Sequence, residues 1–176
     1  MQNVAFSKSL KYGQIGEGRI ANWLRGKGYS VLPVYDVQIN SGKGPQLFTP
    51  TESLVAPDMQ IYREKDVLWV EAKRKTAFAW HRITRSWTTG IDLRHYKDYC
   101  KIDTESPFRV YMLFLHGGGQ AKDSPPNSPS GLYGNWLSYL REHEHHRHMN
   151  WGKSGMVYWG LDALRKIAAL KALEIS

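Results

Sequence analysis

The 176-residue chain predicts a single mixed α/β domain. Three observations predict it: helical and strand-like segments alternate along the sequence, the run from Phe108 to His116 is nearly continuous in apolar residues, and no internal repeat is evident. An apolar run that short fits a strand buried on both faces. It is also well below the roughly 20 residues of a membrane-spanning helix. Cys100 is the only cysteine, so no internal disulfide is expected, and without a secretory signal a reducing, cytoplasmic home is the default. Against 24 Lys and Arg stand 16 Asp and Glu, a formal charge of +8. That field favours an anionic partner, nucleic acid before membrane.

Gly13 to Gly28 has a helical pattern, with Ile20, Ala21 and Leu24 on one stripe and Gly26 and Gly28 as a stop. Glu17 shares that stripe, which places a carboxylate on the inward side. Taken alone, it reads as a helix-rim acid in a salt bridge. Tyr29 to Asp36 reads as a strand that Pro33 pushes toward an edge or bulge, and 40–56 as a loop.

Ala56 to Arg63 and Val67 to Lys73 form an expected antiparallel hairpin around Glu64-Lys65. With those two residues as the turn, Asp58 lies opposite Glu71, and Lys73 falls on the same face. Met59, Ile61, Leu68, Val70 and Ala72 collect on the other, giving one core side and one charged side. Two carboxylates facing each other across a ladder repel unless a proton or cation lies between them. If Lys73 is that cation, the cluster is a solvated salt-bridge face.

From Lys73 to Trp87, Lys73, Arg74, Lys75, Arg82 and Arg85 alternate with Phe78, Trp80, His81 and Trp87. Cations for phosphates beside rings that stack on bases compose a nucleic-acid surface; the plainer reading is a basic loop anchored by Trp80 and Trp87. Thr88 to Gly90 then introduces a helix capped by Asp92 and running to about Ile102, with Arg94, His95, Lys97 and Lys101 on its surface. Gly117 to Gly134 reads as a Gly/Pro-rich insertion loop, and Tyr133 to Glu144 as a short helix. His143, His145, His146 and His148 match no closed zinc spacing and read as a solvated patch. A strand at Met156–Trp159 and a helix from Leu161 to Leu173 close the chain.

Together Glu17, Pro57-Asp58 and Glu71-Ala72-Lys73 resemble the PD-(D/E)xK nuclease superfamily, which includes restriction endonucleases, archaeal-type Holliday junction resolvases and phage recombination nucleases. The motif content covers roughly Gly13 to Ile102. The resemblance implies a restriction-endonuclease-like α/β fold: a mixed central sheet flanked by helices, one domain over 1–176 with the insertion at about 117–134. It implies a Mg2+- or Mn2+-dependent endonuclease acting on DNA, in which Asp58 and Glu71 hold the metal, Glu17 is an accessory acid and Lys73 assists the attacking water. An octahedral, oxygen-ligated ion would also suit the Ala72 carbonyl. Arg74, Lys75, Trp80, His81, Arg82, Arg85, Arg94 and Lys97 are the expected nucleic-acid contacts. The short chain suits a structure-selective enzyme on branched DNA, working as a homodimer in a bacterial or phage-infected cytoplasm. Where such nucleases often carry Gln on the next helix, this chain offers His95, Tyr96, Lys97 and Tyr99. The competing class is a non-catalytic nucleic-acid-binding module with a structural acidic cluster.

Overall fold

A helix, α1 (Val4–Gly26), leads into a short strand β1 (Ser30–Pro33), followed by the hairpins β2 (Gln46–Phe48) with β3 (Ser53–Val55) and β4 (Met59–Arg63) with β5 (Asp66–Lys75). Then come β6 (Ala79–His81), β7 (Ser86–Asp92), α2 (Leu93–Glu105), β8 (Val110–Gly117), β9 (Ser130–Trp136) and α3 (Leu137–Glu142). Strands β10 (His146–His148), β11 (Met156–Gly160) and β12 (Arg165–Ala168) complete the chain. This computed structural model describes residues 4–34, 45–151 and 154–173, with side chains from Tyr12 onward.

The central sheet has the order β1-β4-β5-β8-β9-β12, and β5–β8 is its parallel pair. A parallel pair needs a crossover, and here α2 makes it after the detour through β6 and β7. On one face Ile20 and Leu24 of α1 pack on Met59, Ile61, Val70, Ala72, Leu113 and Leu115. On the other, Trp69, Met112 and Phe114 meet Tyr96, Tyr99 and Ile102 of α2, Leu137 and Leu140 of α3, and Ile91, Val157 and Trp159. The last three belong to a second sheet, β10-β11-β7-β6, so the sheet is covered on both sides.

The turn at Glu64-Lys65 sets the expected register: Met59 pairs with Val70, Ile61 with Leu68 and Arg63 with Asp66. Glu64 takes the left-handed conformation that the tight turn requires, φ 58°. The apolar side is as expected, but the other side is no solvated charged face. Tyr99 of α2 lies over it, Phe114 of β8 flanks it, and Glu71 has no exposure at all.

Several expected elements are corrected. Within 45–56, β2 and β3 pair, where a loop was expected. Part of the Lys73–Trp87 segment and all of Thr88–Gly90 are strand, because β7 is zipped between β6 and β11. Ser130 to Trp136 is β9, so the insertion ends at 129 and the helix begins at Leu137 instead of Tyr133. Gly134 fits there because a Cβ would run into the Met112 carbonyl, a close backbone approach that glycine in a strand often marks. Leu161–Leu173 is two short 3-10 turns around β12, whose pairing with β9 overrides the local helical pattern. The first strand is Ser30–Pro33; Asp36 lies outside the described residues.

Gly16 explains how closely α1 seats on β5: a Cβ there would stand 2.5 Å from Arg74 Cβ. Gly16→Ala would gain about 1 kcal/mol of helix propensity. Overpacking against a backbone-proximal atom costs about 1–3 kcal/mol. We expect a net loss of stability, read as a lower melting temperature.

Candidate active site

β4 ends its pairing with β5 at Met59–Val70, leaving residues 71 to 75 of β5 without a β4 partner. Asp58, the residue just before β4, fills the first gap with its side chain: Asp58 Oδ2 accepts the Ala72 N–H at 2.8 Å. Its own carbonyl accepts from Val34 N at 2.9 Å, which ties the turn down. Because the N–H and C=O of a ladder residue face the same neighbour, the Ala72 carbonyl is directed to this open edge too.

Glu71, Lys73 and Lys75 alternate onto the face covered by α2, level with Met112, Phe114 and His116 of β8. Glu71 is ion-paired with Lys73, whose side chain is 28% exposed. Neither Glu71 oxygen has a hydrogen-bond partner of regular geometry. Burial and the Asp58 charge push the Glu71 carboxyl up to about 8, against the opposing pull of Lys73 and the Tyr99 hydroxyl. Burial also raises Glu17, with Asp58 adding to the rise and Lys73 opposing it. The Lys73 ammonium is held charged by Glu71, Asp58 and Glu17, which outweigh its own burial. Glu17, Asp58, Glu71 and Lys73 thus form one electrostatically coupled group. Among the described residues no three His, Cys, Asp or Glu side chains gather closely enough to hold a metal ion by themselves.

Tyr99 and His116 carry no motif and were not expected here as site residues. Tyr99 is reached because α2 lies across the parallel pair. Removing its hydroxyl takes away a group that favours the ionised Glu71. In Tyr99→Phe, the Glu71 titration followed by carboxyl NMR should move to higher pH. His116 is fully buried, stacked on Phe78 with ring centroids 3.5 Å apart. Its imidazole is pushed down to about 3, by burial first and then by Lys75, whose ammonium burial lowers to about 8. His95, one helical turn before Tyr99, is lowered by burial and by Lys73.

The expected nucleic-acid residues divide. Arg74 stacks over Tyr12 at 3.7 Å and donates to its carbonyl, and Trp80 packs edge to face on Trp87. His81 sits 2.7 Å from Thr84 Oγ1 and beside the rings of His145 and His146. Arg82, Arg85, Arg94 and Lys97 are exposed. Of the histidine patch, His143 stacks on Tyr139, and His145 and His146 bring their Nδ1 atoms to 2.7 Å.

No protein-family description and no curated protein sequence matches the chain. Among solved structures it is similar to Archaeoglobus fulgidus Hjc, a Holliday junction resolvase from an archaeal hyperthermophile. The TM-score is 0.53 at 8% identity, over 92% of this chain and 99% of that one. The fold is resolvase-like. The likeness extends through the central mixed sheet and its flanking helices, as the sequence motifs implied. No helix among the described residues is long and apolar enough to cross a membrane.

Proposed function

We propose that this resolvase-like protein is a divalent-metal-dependent endonuclease that hydrolyses DNA phosphodiester bonds, with branched or junction DNA as its preferred substrate. The observation carrying the reading is Glu71, a carboxylate without exposure, set beside Asp58 and Lys73 where the sheet pairing opens. A buried charge is costly, and an apolar residue in its place is often neutral or stabilising, so folding alone gives little reason for it.

The donor set fits Mg2+ or Mn2+. Hard cations take oxygen ligands, and the Glu71 oxygens are buried without regular hydrogen-bond partners next to a second acid. Asp58, Glu71 and the Ala72 carbonyl would hold the ion, with Glu17 as the accessory acid. A bound ion supplies Lewis-acid polarisation of the phosphate and a more acidic water. Lys73, kept protonated by its acidic neighbours, acts as a donor: it orients the attacking water and offsets negative charge developing on the phosphate. Tyr99 orients Glu71. The exposed Arg82, Arg85, Arg94 and Lys97 serve the DNA backbone, while Arg74, Lys75, Trp80 and His81 shape the surface from within.

The resolvase likeness supports a four-way junction as substrate, and a homodimer is the assembly that suits its two symmetric strands. Such an enzyme would work in the cytoplasm, where its DNA is. The test is incubation of purified protein with a synthetic four-way junction and with supercoiled plasmid, in EDTA, Mg2+ or Mn2+. Cleavage that requires metal and favours the junction is expected. Salt-sensitive binding with no cleavage in either metal would instead make it a binding module with a structural acidic cluster.

A further inference from the structure

Between β5, which carries Glu71 and Lys73, and α2, which carries Tyr99, the chain detours through the β6–β7 hairpin. Its stem is braced. Trp80 meets Trp87 at 5.0 Å, and β7 is paired on its far side with β11. The turn is laced by polar contacts: Thr84 Oγ1 lies 2.7 Å from His81 Nδ1, 2.7 Å from Ser86 Oγ and 3.0 Å from His145 Nε2. Arg85 closes it in a left-handed conformation, φ 52°.

From this tip projects Ile83, 88% exposed, the most exposed large apolar side chain among the described residues. Isolated apolar residues are common on protein surfaces. What sets Ile83 apart is its mounting: a stiff tip, an exposed arginine at 82 and another at 85, and a strand that leaves directly from the candidate site.

We propose that Ile83 is a wedge that inserts between base pairs at a DNA branch point, with Arg82 and Arg85 on the phosphates to either side. This deepens the nuclease reading and rests on it. Apolar side chains inserted at a base step unstack and kink the duplex, at an energetic cost that is smallest where stacking is already interrupted. A hairpin of this kind reads DNA structure and is indifferent to sequence. Arg82 is ion-paired with Asp123 in the 118–129 loop, and an exposed pair of that sort is weak enough for a phosphate to displace. Ile83 is ten residues from Lys73, which limits the reach to about 35 Å. At about 3.4 Å per nucleotide, the cut falls within about ten nucleotides of the wedge.

The experiment uses a four-way junction with 2-aminopurine at the branch and a linear duplex of matching sequence, with wild type, Ile83→Ser and Ile83→Trp. Fluorescence is read in EDTA, where binding occurs without cutting. Wild type and Ile83→Trp should raise the junction signal and Ile83→Ser should not. In Mg2+, the junction-to-linear cleavage ratio should fall about tenfold in Ile83→Ser. Unchanged fluorescence and an unchanged ratio in Ile83→Ser overturn the wedge while leaving the nuclease reading intact. Absence of cleavage by wild type overturns the nuclease reading, whereas the EDTA fluorescence still decides the wedge. If Ile83→Ser instead dissociates a dimer in sedimentation with the DNA signal unchanged, Ile83 is a self-association contact and the wedge is wrong.

Discussion

Asp58→Asn and Glu71→Gln should each lower metal-dependent cleavage on the order of 10³-fold or more, with the protein still folded. Both replacements keep the shape and remove the charge. Glu71→Gln takes a buried carboxylate out of a site where burial already drives it toward neutrality, so its melting temperature should match or exceed wild type. Asp58→Asn retains an oxygen that can accept the Ala72 N–H, so the turn before β4 should hold. Lys73→Met is expected to cost about 10²–10⁴-fold in rate. Stranding an unpaired buried charge ordinarily destabilises by about 3–5 kcal/mol, but here Glu71 can take up a proton. The loss of stability should therefore be smaller near neutral pH than at pH 9. Plasmid cleavage rates beside thermal unfolding of the same preparations check all three; activity lost only in step with unfolding would overturn the assignment.

The same residues show what a sequence can reveal. Asp58, Glu71 and Lys73 were legible because a two-residue turn fixes a register that arithmetic can follow, and the observed pairing of Met59 with Val70 keeps it. Glu17 was legible because a carboxylate on an apolar helical stripe is out of place. Tyr99 and His116 were not, since each reaches this face through a crossover or a parallel pairing between segments distant in sequence. Nor could local pattern foresee that the charged side of the hairpin would be roofed. That depends on α2 lying over β5 and β8, a tertiary fact. The same limit explains β12: residues 165–168 have no strand signal of their own and become one because β9 offers an edge. Gly131 and Gly134 disguised β9 as loop for the opposite reason, their lack of side chains serving close backbone approach.

The pH dependence of stability should carry the signature of Glu71. Burial and the Asp58 charge push its carboxyl up to about 8 in the folded protein, from an ordinary 4.5, against the pull of Lys73. Between those values the folded state binds the additional proton, so stability falls as pH rises through the window. Other groups act elsewhere. His116 and His146, pushed down to about 3 and about 4, favour the folded state as pH rises toward 6.5 and are flat above it. Lys75, lowered to about 8, adds stability only from there upward. From pH 6.5 to 8 Glu71 is left as the main descending contribution among the described residues. Melting temperatures in EDTA should decline across that interval in wild type and much less in Glu71→Gln. Added Mg2+ should reverse the trend, because a carboxylate must lose its proton to bind a cation; stabilisation by a fixed Mg2+ concentration should be larger at pH 8 than at pH 6.5. Equal declines in wild type and variant, or Mg2+ stabilisation indifferent to pH, would remove Glu71 from the metal-binding role and leave it a buried acid held by Lys73.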